Sequence, residues 1–345
     1  MKFRYSATRA VVCVVLLGLL VLAYLNVPTF FNFNTKSTST NLILHTIDVG
    51  HGDCLVAELP DGKILMIDAG KSSKYLTVKN YLTKLGVTKI DWFVNTHPDD
   101  DHYGGLTDLM RDYVISTIYR PAFEEIEMTA SKLNAYSSLV NKMYGETDDV
   151  RVPETGEKIG KVGVYTITFV RPSVSGSGKE NANSIMMTLE YENKIFVLTG
   201  DATTESEPTF IATTQAIFNN LAGKYVILKV GHHSSKTSTG TAFTNFIFNG
   251  TDKDKRFAII SCSTQDNNPN GDTMNALAGY CNEANIFVTL YDGDIVVVAT
   301  ADSLVINGKQ FDIGYAAIFL VIGVAIITLC FYNYATHKRR SNAVV

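Results

Sequence analysis

Thr96-His97-Pro98-Asp99-Asp100-Asp101-His102-Tyr103-Gly104-Gly105 packs two histidines and three carboxylates into six residues, and its reading governs the rest of the chain. The run before it, Ile90-Asp91-Trp92-Phe93-Val94-Asn95, is short, aromatic and β-branched, the pattern of a buried strand. The acidic stretch therefore sits where a strand ends, and its glycine pair lets a helix begin tightly behind it. Imidazole and carboxylate together suit a borderline divalent cation such as Zn²⁺ or Mn²⁺. One loop with ligands pointing both ways is also a way to build a two-metal hydrolytic site. An acidic loop capping a helix is the plainer alternative. An EF-hand is another: counted from Asp99, Gly104 falls at the sixth loop position. Tyr103 and Met110, however, stand where that loop requires oxygen ligands.

Working outward, two segments of the 345-residue chain do not belong to a soluble core. Residues 10–27 are almost wholly apolar and follow Lys2, Arg4 and Arg9; residues 313–332 carry no charge and precede Lys338, Arg339 and Arg340. Each is long enough to cross a bilayer as a helix. No Ala-x-Ala cleavage site follows the first, which reads as an uncleaved anchor rather than a signal peptide. Basic residues on both terminal sides place both ends in the cytoplasm and the intervening domain outside the cell membrane. The expected organisation is a cytoplasmic N-terminus and anchor over 1–31, a Ser/Thr-rich linker over 32–41, and a folded domain over 42–305. A second transmembrane helix over 313–332 and a basic tail over 333–345 complete it.

All 34 acidic residues lie between the spans against 24 basic ones, so the stretch between them carries a net charge of −10 although the whole chain carries only −4. That is unlike the basic footprint of a nucleic-acid binder. Between the spans Cys54, Cys262 and Cys281 are an odd number and define no disulfide framework.

Strands are expected over 42–49, 54–59, 63–67, 162–170, 185–191, 194–198, 225–230, 257–261, 286–290 and 295–299, with a hairpin turn at Pro60-Asp61-Gly62. Helices are expected near 74–85, 128–143, 205–221 and 273–283. Early strands, then strand–helix alternation, then a second such set give a layered α/β protein. Chemical residues recur at strand ends: Asp68, His97 to His102, Asp201, and His232 with His233. Open α/β sheets place ligands at such ends.

Six ordered motifs carry a family resemblance. They are Asp48-Val49-Gly50-x-Gly52-Asp53, Ile67-Asp68-Ala69-Gly70, Thr96-His97-x-Asp99-x-Asp101-His102-x-Gly104-Gly105, Asn183-Ser184, Leu198-Thr199-Gly200-Asp201 and Lys229-Val230-Gly231-His232-His233-x-Ser235-Lys236-Thr237. Over about residues 42–300 the chain resembles the metallo-β-lactamase superfamily, and specifically the soluble domain of ComEC-type DNA-uptake proteins. The resemblance implies an αββα sandwich, here flanked by one N-terminal and one C-terminal transmembrane helix, with two divalent metal ions (Zn or Mn) in a cleft at one edge. By position, His97 and Asp99 would hold one metal, Asp101 and His102 the other, Asp201 would bridge them, and His232 would be the later ligand with His233 beside it. Asp101, His102 and Asp201 would form the catalytic core around a metal-activated hydroxide. Asp68 would orient the loop, and Asn183, Ser235 and Lys236 would support the site or contact substrate.

The departures are specific. Asp99 stands where many members have histidine; ComEC-type domains share it, and it shifts preference toward harder ions such as Mn²⁺. No histidine lies between His102 and His232, so the superfamily's third ligand motif is missing, with Asn183 as a weak substitute. His51 sits where relatives usually have glutamine, and Asn268-Pro269-Asn270-Gly271-Asp272 replaces a stretch that is often histidine-rich. Two single spans do not make the multi-span ComEC pore, so DNA import is not carried over. The expected function is an externally displayed, metal-dependent hydrolase of a phosphodiester-containing substrate: nucleic acid, nucleotide or phosphorylated surface polymer. The alternative is a membrane-tethered scaffold that kept the fold and lost turnover.

Overall fold

The computed structural model describes residues 41–249, 252–264, 268–307 and 309–310. Both expected membrane spans lie outside these residues, and among the described residues no helix is long and apolar enough to cross a membrane.

The described residues up to Asp302 form one compact unit. Its strands in chain order are β1 (Leu42–Thr46), β2 (Leu55–Glu58), β3 (Ile64–Ile67), β4 (Lys89–Val94), β5 (Val114–Tyr119), β6 (Val150–Arg151), β7 (Lys158–Lys161), β8 (Tyr165–Val170), β9 (Met186–Tyr191), β10 (Lys194–Leu198), β11 (Tyr225–Lys229), β12 (Arg256–Ile260), β13 (Ile286–Val288) and β14 (Ile295–Ala299). One sheet runs β14-β1-β2-β3-β4-β5-β6 and the other β13-β12-β11-β10-β9-β8-β7. Both change from antiparallel to parallel pairing partway across, at β3–β4 and at β10–β11. The parallel strands β4, β10 and β11 are those that end in the acidic and histidine motifs. Beyond Asp302, Leu304–Ile306 pairs antiparallel with Lys309–Gln310.

Alternation along the strands divides the core into layers. On β11, Val226 and Leu228 join an apolar cluster with Phe210, Phe218 and Phe243 of the helices Glu207–Phe218 and Thr241–Ile247. Ile227 and Lys229 point the other way, toward the first sheet. There the Lys229 ammonium meets the Asp53 carboxylate at 2.8 Å with both side chains buried. The Tyr119 and Phe169 rings close the same interface, 4.6 Å apart, from β5 and β8. The outer face of the first sheet is covered by the helix Tyr75–Leu85 through Tyr75, Val78 and Leu82. The helix Ala130–Glu146 adds Tyr136, Leu139, Val140 and Met143, spaced to lie on one stripe. Helices outside two facing sheets give the expected αββα sandwich.

The expected strands 194–198 and 295–299 match β10 and β14. The expected strand 162–170 begins later, at Tyr165, and pairs with the unexpected strand Lys158–Lys161 in a hairpin whose turn leaves Val162 fully exposed. The strand Val114–Tyr119 and the seven-residue helix Thr241–Ile247 are elements the sequence reading passes over.

Candidate metal centre

The first donors are fixed by the turn after β3. Asp68, with φ of 56°, is wholly buried, and its carboxylate accepts four hydrogen bonds. These come from Thr96 N at 2.8 Å, Asn95 Nδ2 at 3.2 Å, Thr96 Oγ1 at 2.7 Å and His102 Nδ1 at 2.7 Å. Because the Thr96 hydroxyl gives its proton to Asp68, it accepts from His97 Nδ1 at 3.0 Å. Both rings therefore carry a hydrogen on Nδ1 and turn Nε2 inward. The Tyr136 hydroxyl donates to Asn95 Oδ1 from the outer helix, completing the support. Main-chain bonds from Ala69 N to His102 O (2.7 Å) and from Gly105 N to Gly70 O (2.9 Å) clamp the acidic loop onto the same turn.

The second sheet supplies the rest. Asp201 follows β10 on a turn pressed against the acidic loop: a Cβ on Gly200, whose φ is 51°, would lie 2.9 Å from the Thr96 side chain. After β11, three consecutive non-glycine residues, His232, His233 and Ser234, adopt φ of 46°, 52° and 68°. Left-handed backbone of this kind costs roughly 1–3 kcal/mol per residue and concentrates at functional sites. It separates the two adjacent histidines. His233 is buried, donates from Nδ1 to Ser261 O at 2.8 Å, and turns Nε2 to within 3.3 Å of Asp201 Oδ2 and 3.6 Å of Asp101 Oδ2. His232 is partly exposed; its Nδ1 pairs with Thr237 Oγ1 at 2.8 Å and its Nε2 with the Asn181 amide nitrogen at 3.1 Å. It stands 3.9 Å from Asp201 Oδ2.

A cation fits this arrangement. His97 Nε2, His102 Nε2, His233 Nε2 and Asp201 Oδ1 are buried with no hydrogen-bond partner among the described residues. An unsatisfied buried polar atom costs about 1–3 kcal/mol, so four together in one place suit a shared ligand. Asp201 Oδ2 lies 3.2 Å from His102 Nε2 and 3.8 Å from His97 Nε2, and Asp99 Oδ2 is 3.8 Å from His97 Nε2. Donors about 2.1 Å from a tetrahedral ion stand about 3.4 Å apart, the spacing these atoms straddle. Among the described residues three sets of three donors have all their atoms within 4.8 Å of one another: His97, His102 and Asp201; His51, Asp101 and His233; and Asp53, Asp68 and His102, in which Asp68 and His102 already bond each other. The family pattern instead pairs His102 with Asp101.

Charge is concentrated here. Burial opposes a proton on His102, yet the Asp201 and Asp68 carboxylates raise it well above the usual imidazole range. Burial likewise opposes the proton on His233, but Asp201 and Asp101 push it up to about 9. Burial alone would raise Asp201; His102 and His233 hold it well below the ordinary carboxylate value. Burial and then the neighbouring His102 lower His97. Positive charge thus gathers on donors that a metal would otherwise occupy.

The donors open onto a cavity of about 350 Å³ lined by His51, Lys71, Asp99, Lys132, Asn181 and His232 among others. A larger hollow of about 630 Å³, beside Lys79 and Asp112, shares no residue with it. Lys132 and Asn181 carry no motif and were not anticipated. Lys132 Nζ bonds Asp99 Oδ1 at 2.8 Å and Glu180 Oε1 at 3.1 Å. Asn183, by contrast, spends its amide on Val174 and on Lys179 O, bracing the loop that carries Asn181. Ser235 Oγ pairs with Thr237 Oγ1 at 3.2 Å, and Lys236 is exposed and outside the cavity lining.

Residues 47–252, more than half of the chain, match the profile of the metallo-beta-lactamase superfamily. ComE operon protein 3 of Bacillus subtilis (strain 168) is 26% identical over 218 residues, covering 57% of this chain and 26% of that protein. Recombination protein 2 of Haemophilus influenzae is 26% identical over 199 residues, covering 56% and 21%. The chain thus spans about a quarter of the length of these relatives. Among solved structures, a diphosphatase of the PhnP family is 14% identical with a TM-score of 0.43, covering 75% of this chain and 99% of that one. The chain belongs to the metallo-beta-lactamase superfamily, and these two relatives are of the ComEC type.

Proposed function

We propose that this chain is a membrane-anchored, metal-dependent hydrolase acting on phosphodiester-type substrates outside the cell. The observation that carries the reading is the set of buried donor atoms on His97, His102, His233 and Asp201, convergent at the floor of an open cavity with no hydrogen-bond partner among the described residues. With Asp99 and Asp101 these residues would hold two divalent cations, of Zn²⁺ or Mn²⁺ type. Such ions, when bound, supply Lewis acidity and an acidified water. Around them the chain fixes imidazole tautomers through Asp68, Thr96 and Ser261, excludes solvent from the inner donors, and presents Lys71 and Lys132 at the cavity wall. Those ammonium groups are the partners an anionic phosphoester needs.

The net charge of −10 between the two expected spans disfavours long nucleic acid, whose binding is dominated by phosphate neutralisation. A nucleotide or a phosphorylated head group on a surface polymer accords better with a cavity of about 350 Å³. The missing histidine motif between His102 and His232 favours the second reading, a tethered scaffold of the same fold. Metal content separates the two: fewer than one ion per chain after purification in Zn²⁺ or Mn²⁺ supports the scaffold. A substrate screen of the full chain in detergent against bis-p-nitrophenyl phosphate, phosphocholine esters, DNA and a β-lactam tests the reaction class; cleavage of the β-lactam alone overturns it. The basic flanks of residues 10–27 and 313–332 underlie the topology. Cysteine introduced at Ser175 should label on intact cells and one beside Lys338 should not; the native Cys54, Cys262 and Cys281 are buried and stay silent.

A further inference from the structure

We propose that His51 is a direct ligand of one of the two cations, making a site with Asp101 and His233 that the motif-derived ligand set does not contain. The inference rests on the metal-centre reading above. His51 Nε2 lies 3.3 Å from Asp101 Oδ2, and His233 Nε2 lies 3.6 Å from the same oxygen. A charge-assisted N–H···O bond closes to about 2.7–2.9 Å, whereas donors sharing a tetrahedral ion stand about 3.4 Å apart. The two edges bracket the second value. The His51 and His233 rings lie side by side with centroids 4.6 Å apart, so the imidazoles reach the carboxylate from one side without blocking each other.

The turn that carries His51 is held from three directions. A Cβ on Gly52 would fall 2.3 Å from Asp101 O, so the turn and the acidic loop are in main-chain contact. Gly52 O accepts from Ser261 Oγ at 2.6 Å, and Asp53 O accepts from Gly70 N at 2.8 Å. Ser261 is also the residue whose carbonyl orients His233, so one position braces both rings. Rigid support of this kind is what a metal ligand requires. The consequence is two sites with separate protein donors: His51, His233 and Asp101 on one side, His97, His102 and Asp99 on the other, with Asp201 within reach of both. Sites that differ in exposure and in their own donors should fill in separate steps.

The test uses the full chain in detergent, stripped of metal, titrated with Zn²⁺ by calorimetry and with Co²⁺ by visible absorbance. Wild type should bind two ions in two steps. His51→Gln should keep one step and weaken the other by at least about tenfold, losing the Co²⁺ absorbance of that step. His51→Glu, which retains a donor, should restore binding with an altered Co²⁺ spectrum. The metal-free variants should melt with wild type. Should His51→Gln prove unfolded, His51→Glu decides alone: an unaltered Co²⁺ spectrum overturns the proposal. Two ions bound by His51→Gln with affinities within about twofold of wild type overturn His51 as a ligand and leave the centre standing. A wild type that binds neither ion removes the centre and this proposal together.

Discussion

His97, His102 and Asp201 form an inner flank of the centre with side chains at most 4% exposed, whereas His51, Asp99 and Asp101 form an outer flank 13–24% exposed. The inner donors are locked by Asp68, Thr96 and Asn95, wholly within protein. The outer donors face the cavity and share their wall with Lys71 and Lys132. A buried lone pair without a partner is costly, and an exposed one is hydrated at little cost. The difference assigns the flanks separate work: the inner one decides whether metal is held at all, the outer one what meets it.

The largest effect that can break this division comes from the inner flank. Asp201→Ala removes the one carboxylate that, among the described residues, lies within 4 Å of four imidazoles. It should take hydrolysis to background and lose more than one metal equivalent, with the metal-free fold intact by circular dichroism. Metal analysis and a bis-p-nitrophenyl phosphate assay on the same sample check this. Retention of both ions and activity would return the acidic stretch to a helix-capping role.

Next in size is a pH effect. In the metal-free protein His102 and His233 carry pKa values above the ordinary 6.5, with His233 at about 9. A folded pKa above the unfolded one contributes stability that is fully present below 6.5 and is lost as pH rises through about 9. The Tm of the metal-free chain should therefore fall between pH 7 and pH 9.5, while the metal-saturated chain lacks that slope. Metal uptake near neutral pH should release protons, so the calorimetric heat should vary with buffer ionisation enthalpy. A heat independent of buffer would show that the imidazoles bind metal from the neutral state.

How much of this could be read in the residues depends on locality. His97 to His102 lie on one loop, and strand-end logic was enough to assemble them with Asp68 and Asp201. The family pattern makes His232 the later ligand with His233 beside it, whereas left-handed backbone over three residues, which composition does not reveal, turns His233 inward and leaves His232 partly exposed. His51 registered only as a departure from glutamine; its proximity to Asp101 comes from the bare backbone at Gly52. Lys132 belongs to an outer helix, capped by the Thr129 hydroxyl accepting from Lys132 N at 3.3 Å, and reaches the site by tertiary packing. Asn181 lies two residues before the Asn183 of the motif and faces His232 in its place. The strand Val114–Tyr119 had a β-branched signal of its own, masked between the acidic loop and a long helical region.

A smaller effect sharpens the outer flank. Lys132 neutralises Asp99 and lines the cavity, whereas Lys236 is exposed and outside it. Lys132→Ala should raise KM several-fold more than Lys236→Ala, with kcat and metal content less affected, as expected when ground-state contact is lost. Equal effects from both lysines would move substrate toward the loop after His233.

The smallest expected effect lies where the outer loop is tied down. Glu207 is buried and both of its carboxylate oxygens accept from Gly240 N at 3.1 Å, closing the segment that begins at His232. Burial raises its pKa above the usual value despite bonds from Gly240 and Thr239. For a carboxyl shifted upward, the stability it contributes is present below its unfolded pKa and lost as pH rises through the folded one. At neutral pH the ionised form is therefore a small cost. Glu207→Gln keeps an acceptor for Gly240 N and removes that charge, so it should leave metal content unchanged and alter stability by under about 1 kcal/mol at pH 7, in the stabilising direction. Denaturant melts at pH 7 and pH 4 check the sign: the benefit should vanish at the lower pH, where wild type is protonated as well. A loss of bound metal on this substitution would instead make the 232–240 loop part of the inner flank.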